Sequence, residues 1–167
     1  SSKNQAFLDE VGNVKVIYNY VHDTGKNNRD GGSIYNLGSS KGSEVAHNYI
    51  YNSWDGDDVY ENGLYLDQGS AHIEVHHNVV GENVGYWMHQ WMYTIHDNVW
   101  HDNFYVETKS RDNGTNNKAY DNTKYETQAE LEADPEAKAI MNEAGLLDES
   151  VKDGVWVGFA PMHDMVQ

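Results

Sequence analysis

The chain has 167 residues, which is the size of one domain. Its formal net charge of -16 disfavours nucleic acid and anionic membrane as partners, because like charges repel. It has 0 cysteines, which excludes a disulfide scaffold and a thiolate metal site. No apolar run is long enough to cross a bilayer. No signal peptide is visible, and Ser1–Asn4 look like the middle of a longer sequence.

A cassette of two short strands around a polar corner occurs three times along the chain. The central copy has an apolar strand at 63–67, a Gly-Ser corner at 69–70 and an alternating strand at 72–80. Similar copies occupy residues 32–50 and 85–100. A repeat of about 20–30 residues made of strands and turns, with no helix inside it, predicts a parallel β-solenoid.

An asparagine follows the alternating strand of each copy, and aligning the copies on it brings apolar columns into register. The asparagines are Asn19, Asn48, Asn78 and Asn98, with a weaker fifth copy at Asn122. Three residues before the first four lie Val16, Val45, Val75 and Ile95. We predict that these apolar side chains form one internal row and that the amides stack, since each amide has a donor and an acceptor. Solvated turns are the alternative explanation for the asparagines.

Polar segments interrupt the repeat at 24–30 and 53–62, each just before a strand of the Gly-x-Ile/Leu-Tyr type. Segments that leave a solenoid at the same edge line one groove, and such loops usually carry function. We therefore expect the functional groups of the protein beside these two segments.

Helix signals appear after residue 103, where the repeat pattern weakens. A capping box at 127–130 is followed by Asp134 as an N-cap with proline behind it. The predicted helix runs from Pro135 to Ala144 and stops at Gly145.

This helix is expected to bury Ala139, Ile140 and Ala144 and to close an open end of the solenoid, where a free strand edge would associate with other chains. The predicted domain thus has β-helix turns over residues 1–124. A C-terminal helix and closing segment of the same domain occupy 125–167. The N-terminal end has little to cover it, which predicts a partner turn on another polypeptide.

Aromatic side chains and one carboxylate are expected on an outer face of the repeats. Aligning the strands on their glycines places Tyr35, Tyr65 and Trp87 in one column, and Asp67 and His89 in another. Aromatic rings beside a carboxylate suit sugars, whose C–H faces pack on rings while their hydroxyls bind polar groups. Packing under a loop is the alternative for each ring.

Glycosidases need two carboxylates, one of them a general acid. The predicted catalytic residues are Asp23, Asp30 and Asp67. The predicted substrate-binding residues are His22, Tyr35, Tyr65, Trp87, His89 and Trp91. Backbone capping is the alternative role for a lone aspartate at a turn.

We predict no required cofactor. The acidic residues Asp55, Asp57 and Asp58 offer a structural Ca²⁺ site, with a solvated face as the alternative. His47 and His77 share a column beside the asparagines, where a structural role is favoured over a metal site.

Segments 31–38, 47–50 and 63–80 resemble bacterial right-handed parallel β-helix proteins, and 137–146 resembles the segment that closes their β-helix. Members include glycoside hydrolases of the lacto-N-biosidase, α-L-fucosidase and xylanase types, and polysaccharide lyases. The resemblance implies an all-β, right-handed parallel β-helix with a short C-terminal capping helix. It also implies a glycoside hydrolase that is secreted, periplasmic or on the cell surface.

Catalytic domains of these families are longer than this chain, so the resemblance implies that it is the C-terminal part of one. It would be a subunit of a split enzyme, with the preceding part of the β-helix on another polypeptide, or a product of cleavage. Asp23 and Asp30 have the spacing of the catalytic aspartates in lacto-N-biosidase-type members. A lyase is one alternative, although 11 lysines and arginines in an acidic chain suit an anionic polysaccharide poorly. A non-catalytic, glycan-binding or structural β-helix module is the other.

Overall fold

The computed structural model describes residues 12–24, 30–53, 61–106 and 109–145. Short parallel strands and two short helices make up the regular structure of these residues. In chain order the strands are β1 (Lys15–Ile17), β2 (Tyr20–His22), β3 (Gly31–Asn36), β4 (Ser39–Ala46), β5 (Tyr49–Tyr51), β6 (Glu61–Leu66), β7 (Ala71–His76), β8 (Val79–Val80), β9 (Tyr86–Gln90), β10 (Val99–His101), β11 (Phe104–Val106), β12 (Lys109–Asp112), β13 (Lys118–Tyr120) and β14 (Thr123–Tyr125).

Each sheet takes one strand from each successive repeat, and neighbouring strands in it are parallel. The first sheet has the order β1-β4-β7-β10-β13, the second β2-β5-β8-β11-β14 and the third β3-β6-β9-β12. The chain passes from the first to the second and third sheets before the next repeat begins. The described part is therefore mostly β with three parallel sheets, an arrangement compatible with a parallel β-solenoid.

The internal row of the first sheet is confirmed for three of its four predicted members. Val16 is opposite Val45, and Val45 is opposite Val75. The fourth member is Trp100 rather than Ile95, because β10 places Trp100 opposite Val75. Trp100 is fully buried in the core between the sheets. The same core contains Ile50, Leu64, Leu66, Ile73, Val80, Val84, Trp87 and Met88.

A continuous ladder of asparagines lies at the corner between the first and second sheets. It consists of Asn19, Asn48, Asn78, Asn103 and Asn122. Each side-chain nitrogen donates to the side-chain oxygen of the next asparagine at 2.8–3.0 Å. The backbone N–H of each asparagine donates to that same oxygen. The ladder therefore provides hydrogen-bond partners for the backbone N–H groups at the corner of each repeat. The predicted stacking of amides is confirmed, as is the fifth copy at Asn122.

Asn98 belongs to a second, shorter ladder at the other end of the first sheet. Its side-chain oxygen accepts from the backbone N–H of Ile73 at 3.1 Å, and its own N–H donates to Asn117 Oδ1 at 3.0 Å. The predicted alignment of Asn98 with Asn78 is therefore wrong. Asn98 precedes β10, whereas Asn103, which follows β10, continues the main ladder.

Two helices follow the last strand, and both have the predicted N-caps. Helix α1 covers Gln128–Ala133, where Thr127 Oγ1 accepts from the N–H of Glu130 at 3.2 Å. Helix α2 covers Pro135–Glu143, and Asp134 Oδ1 accepts two N–H groups of its first turn at 2.9 Å. The caps satisfy amides that the helix itself leaves without partners.

Helix α2 buries Ala137 and Ile140, which lie on one face, while Ala139 points to solvent, so the predicted burial of Ala139 is wrong. The helices pack on the outer face of the second sheet, and the N–H of Gly145 donates to Tyr18 O at 2.8 Å. This side cluster consists of Val79, Phe104, Val106, Leu131, Ala137 and Ile140. Closure of a solenoid end by the helix stays a prediction. Neither described helix has the length and apolar character of a membrane span.

Candidate functional site

A column of three rings lies on the side of the third sheet that faces away from the core, where Tyr35 is 46% exposed but Tyr65 and His89 are buried at 3% and 2% exposure. Tyr35 of β3 is opposite Tyr65 of β6, Tyr65 is opposite His89 of β9, and His89 is opposite Arg111 of β12. The Tyr65 and His89 rings stack with centroids 4.5 Å apart, and Tyr35 meets Tyr65 edge-on at 5.2 Å. Parallel pairing in register explains the column, because it repeats the same outward position in each repeat.

Trp87 lies in the core and not in this outer column. It is 4% exposed and stacks on Tyr105 at 4.2 Å. The predicted alignment of Trp87 with Tyr65 is wrong, because Asn62 pairs with Tyr86. Aligning Gly63 with Gly85 therefore places β9 two residues out of register with β6. Such a shift gives every side chain of the strand a wrong partner.

Asp67 is the carboxylate at the end of β6, next to the ring column. The Tyr35 hydroxyl donates to Asp67 Oδ2 at 2.5 Å, and the N–H of Gln68 donates to Oδ1 at 2.7 Å. Asp67 is 8% exposed, whereas Tyr35 is 46% exposed. Burial, the hydrogen bond to Asp67 and the charges of Asp67 and Asp30 raise the pKa of Tyr35 to about 12. The hydroxyl therefore stays protonated and remains a donor to the carboxylate.

Asp30 precedes β3 and is exposed. Burial comes first among the causes that raise the pKa of Tyr65, followed by the charges of Asp67 and Asp30. The charges of Asp67 and Asp30 also contribute to the raised pKa of Tyr35. The charges of Asp30 and Asp67 thus both contribute to the raised pKa values of Tyr35 and Tyr65, while the predicted groove that the two carboxylates share stays a prediction. We call Tyr35, Tyr65, Asp67, Asp30 and His89 the tyrosine–aspartate site.

His89 contributes a neutral imidazole to the tyrosine–aspartate site. Burial, followed by the charge of Arg111, lowers the pKa of His89 to about 4. Its Nδ1 lies 2.8 Å from Asn62 Oδ1, and an amide oxygen only accepts, so Nδ1 carries the proton. The ring of Tyr86 stacks on His89 at 5.0 Å, and the Arg111 guanidinium lies 5.3 Å from the Tyr86 ring centroid.

Asp23 and His22 occupy the corner that follows the second sheet. His22 Nδ1 is 2.8 Å from Asp23 Oδ2, and Asn52 donates to Asp23 Oδ1 at 2.6 Å. Asp23 has φ 55, a left-handed conformation that aspartate tolerates better than most residues. Burial raises the pKa of Tyr20 in the second sheet, and the charge of Asp23 raises it further. These contacts place the His22–Asp23 pair in a corner network, while Asp30 and Asp67 act on the rings of the third sheet.

Trp91 follows β9 one repeat beyond Asp67, since Leu66 is opposite Gln90. Its side chain is 41% exposed, and its carbonyl accepts from Asn113 Nδ2 at 2.8 Å. Trp91 therefore extends the aromatic surface past the end of the third sheet. The predicted calcium ligands Asp55, Asp57 and Asp58 lie outside the described residues.

Three neighbours of His89 beside the tyrosine–aspartate site were not predicted: Asn62, Tyr86 and Arg111. Arg111 lies in the polar stretch where the repeat pattern fades, and only the pairing of β9 with β12 brings it to His89. Asn62 and Tyr86 could have been predicted as neighbours from the sequence, because both lie near the start of the corresponding strand in successive repeats.

Comparison of the chain with protein-family models, with curated proteins and with solved structures finds no match.

Proposed function

We propose that the three sheets form a right-handed parallel β-helix and that the protein is a glycoside hydrolase, or part of one, acting at the tyrosine–aspartate site. The observation that carries the proposal is the 2.5 Å hydrogen bond from the Tyr35 hydroxyl to Asp67 Oδ2, which holds a carboxylate beside the Tyr35, Tyr65 and His89 rings. Two carboxylates beside aromatic rings are what glycoside hydrolysis and sugar binding need. The sequence resemblance to β-helix glycosidases supports the same reaction.

In this proposal the two aspartates have different roles. Asp67 is held as a hydrogen-bond acceptor by the Tyr35 hydroxyl and acts as the carboxylate that supports the substrate's anomeric carbon or its attacking water. Asp30, which is exposed, delivers the proton to the leaving oxygen. Tyr35, 46% exposed, offers its ring face to a sugar.

The electrostatics favour a neutral glycan over an anionic one. The formal net charge is -16, and two carboxylates stand at the site itself. The carboxylates would repel a uronate. Arg111 could offset this repulsion only from two strands away, since it lies on β12 and Tyr65 lies on β6. The proposed substrate class is therefore neutral oligosaccharides or polysaccharides.

The test is hydrolysis of a panel of neutral glycans, measured as released reducing ends. We expect Asp67→Asn and Asp30→Asn to lower turnover by about 10²–10⁴-fold with the circular dichroism spectrum unchanged. Asp23→Asn tests the remaining candidate. Asp121→Asn is the matched control, since Asp121 is exposed in a corner of the first sheet and asparagine tolerates its φ of 52. Unchanged turnover in the Asp67 and Asp30 variants contradicts the proposal.

A non-catalytic glycan-binding module is the second candidate function. The observation that favours it is the low exposure of Asp67, 8%, combined with its bond to Tyr35, which is also how an aspartate anchors a strand end. This alternative predicts glycan binding without hydrolysis. It also predicts that Tyr35→Ala weakens binding more than Asp30→Asn does.

A further inference from the structure

Histidines fill two neighbouring columns where the first sheet meets the asparagine ladder. His76 ends β7 opposite His101 of β10, and their rings stack at 5.0 Å. His47 and His77 occupy the next position in successive repeats, with φ 55 and 50, and their rings stack at 5.2 Å. The repeat therefore concentrates four imidazoles at one corner of the molecule.

Three of these imidazoles converge. His76 Nδ1 lies 2.9 Å from His77 Nδ1. His47, His76 and His77 each offer one ring nitrogen, and the three nitrogens lie within 4.8 Å of one another. Nitrogens bound to one tetrahedral Zn²⁺ at about 2.0–2.1 Å stand about 3.3 Å apart, so small ring rotations suffice to place an ion among them.

We propose that His47, His76 and His77 bind one divalent transition-metal ion, with Zn²⁺ as its representative. Imidazole nitrogens suit Zn²⁺, Cu²⁺ and Ni²⁺, whereas Ca²⁺ and Mg²⁺ require oxygen ligands. Three histidine ligands leave a fourth position of the ion for water or another group.

Carboxylates stand behind the ligand rings, as is usual for metal-binding histidines. His76 Nε2 is 3.3 Å from Glu44 Oε1, and His77 Nε2 is 3.8 Å from Glu136 Oε1 of helix α2. A carboxylate near Nε2 favours the proton on that nitrogen and leaves Nδ1 as the ligand atom. The two Nδ1 atoms face each other at 2.9 Å, so one of them carries the proton of their hydrogen bond, and metal binding would release that proton.

A ring nitrogen of His47 also points to a bound group. The buried Nδ1 of His47 has no hydrogen-bond partner among the described residues. A buried polar atom of this kind needs an explanation, and a bound ion is one.

Neighbouring histidines are less suited to this role. Hydrogen bonds occupy both nitrogens of His101, with Asp102 at 2.7 Å and Glu74 at 2.9 Å. Burial lowers the pKa of His101, but the hydrogen bonds and charges of Asp102 and Glu74 together raise it by more. The net effect is a raised pKa, which favours the protonated ring. His96 Nδ1 is similarly held by Asp97 at 2.7 Å.

The test is Zn²⁺ titration of the full chain by isothermal calorimetry, with Co²⁺ absorption as a second reading of nitrogen coordination. We expect one ion per chain. His76→Gln and His77→Asn should each lower the Zn²⁺ affinity by at least about 100-fold, because loss of an outer-shell partner alone costs about 10–100-fold. Asparagine tolerates the left-handed conformation of His77, so that variant keeps the corner.

His96→Gln is the matched control, because His96 forms an isolated bridge with Ala71 of β7 outside the proposed site and belongs to a separate candidate group with His72 and Asp97. Its affinity should equal that of the unaltered chain. The proposal is overturned if the unaltered chain binds no Zn²⁺, if the His76 and His77 variants bind as tightly as it does, or if the His96 variant alone loses binding. Circular dichroism of each variant separates loss of the site from loss of the fold.

Discussion

Replacing Asn78 with alanine tests the asparagine ladder at its most buried point. Asn78 is fully buried, and its side-chain oxygen accepts from both the backbone N–H and the side chain of Asn48. The two hydrogens of its side-chain nitrogen are shared among three acceptors, Val45 O, His76 O and Asn103 Oδ1. Alanine removes all of these bonds and leaves the corner backbone in place.

The magnitude follows from what the substitution leaves behind. The N–H of Asn48 loses the acceptor on which it depends, and an unsatisfied buried donor costs about 1–3 kcal/mol. Val45 O and Asn103 Oδ1 lose one bond each, at about 1 kcal/mol per bond. We therefore expect a loss of about 3–5 kcal/mol in the free energy of unfolding.

The assay is urea unfolding followed by far-ultraviolet circular dichroism. Asn19→Ala is the matched control, because Asn19 ends the same ladder at an exposed position and its side chain donates to Ile17 O and Asn48 Oδ1. We expect that variant to lose about 1 kcal/mol or less. An Asn78 variant no less stable than the Asn19 variant would refute the reasoning.

Three further outcomes are expected. Trp100→Ala should destabilise the protein by about 3–5 kcal/mol in urea, because Trp100 is fully buried, while Tyr93→Ala, at a 73% exposed residue, should change stability by less than about 0.5 kcal/mol. Because the folded pKa of His89 lies at about 4, below its ordinary 6.5, the unfolded chain binds more protons, so stability should fall as pH drops from 6.5 towards 4, and less so in His89→Gln. Asp134→Ala should cost about 1 kcal/mol in urea unfolding by uncapping α2.

Equal urea midpoints for the Trp100 and Tyr93 variants would contradict the described core. A pH profile that is the same for the His89→Gln variant and the unaltered chain would contradict the neutral, buried imidazole. Unchanged stability of the Asp134 variant would contradict its capping of α2.

The first three repeats could be predicted because their signals agree. Val16, Val45 and Val75 alternate with polar residues, and an asparagine follows each strand at a fixed distance. A buried row with period 2 admits one register, since a shift by one residue would turn its valines to solvent. Composition and alternation therefore determine which side chains share a row.

The fourth repeat could not be aligned because it carries the same local signal twice. His96-Asp97-Asn98 and His101-Asp102-Asn103 are the same three residue types, each followed by an apolar residue. Only the previous repeat distinguishes them, by offering the Asn78 amide to Asn103 and the Ile73 N–H to Asn98. The choice is made by tertiary contacts, which a single strand pattern does not contain.

For the site, the sequence paired Tyr35 with Tyr65 correctly and placed Trp87 where the structure has His89. The catalytic roles of Asp23, Asp30 and Asp67 stay predictions. Tyr35 and Tyr65 could be aligned because each directly follows an apolar Ile or Leu of a short strand, at 32–35 and 62–65. His89 takes the place expected for Trp87 because β9 pairs two residues further along than its glycine suggests. The register between two strands depends on the path of the loop that joins them. The amino-acid composition of a loop does not determine that path.

The most direct test of the proposed carbohydrate site is a nuclear magnetic resonance titration of tyrosine ring signals with a neutral oligosaccharide from the hydrolysis panel. Tyr35→Phe assigns the signal of Tyr35. Binding at the tyrosine–aspartate site predicts that this signal shifts, while the signal of Tyr120, 48% exposed on the first sheet, stays in place. A signal of Tyr35 that stays unchanged while glycan binds, or a shift confined to Tyr120, would contradict the proposed site.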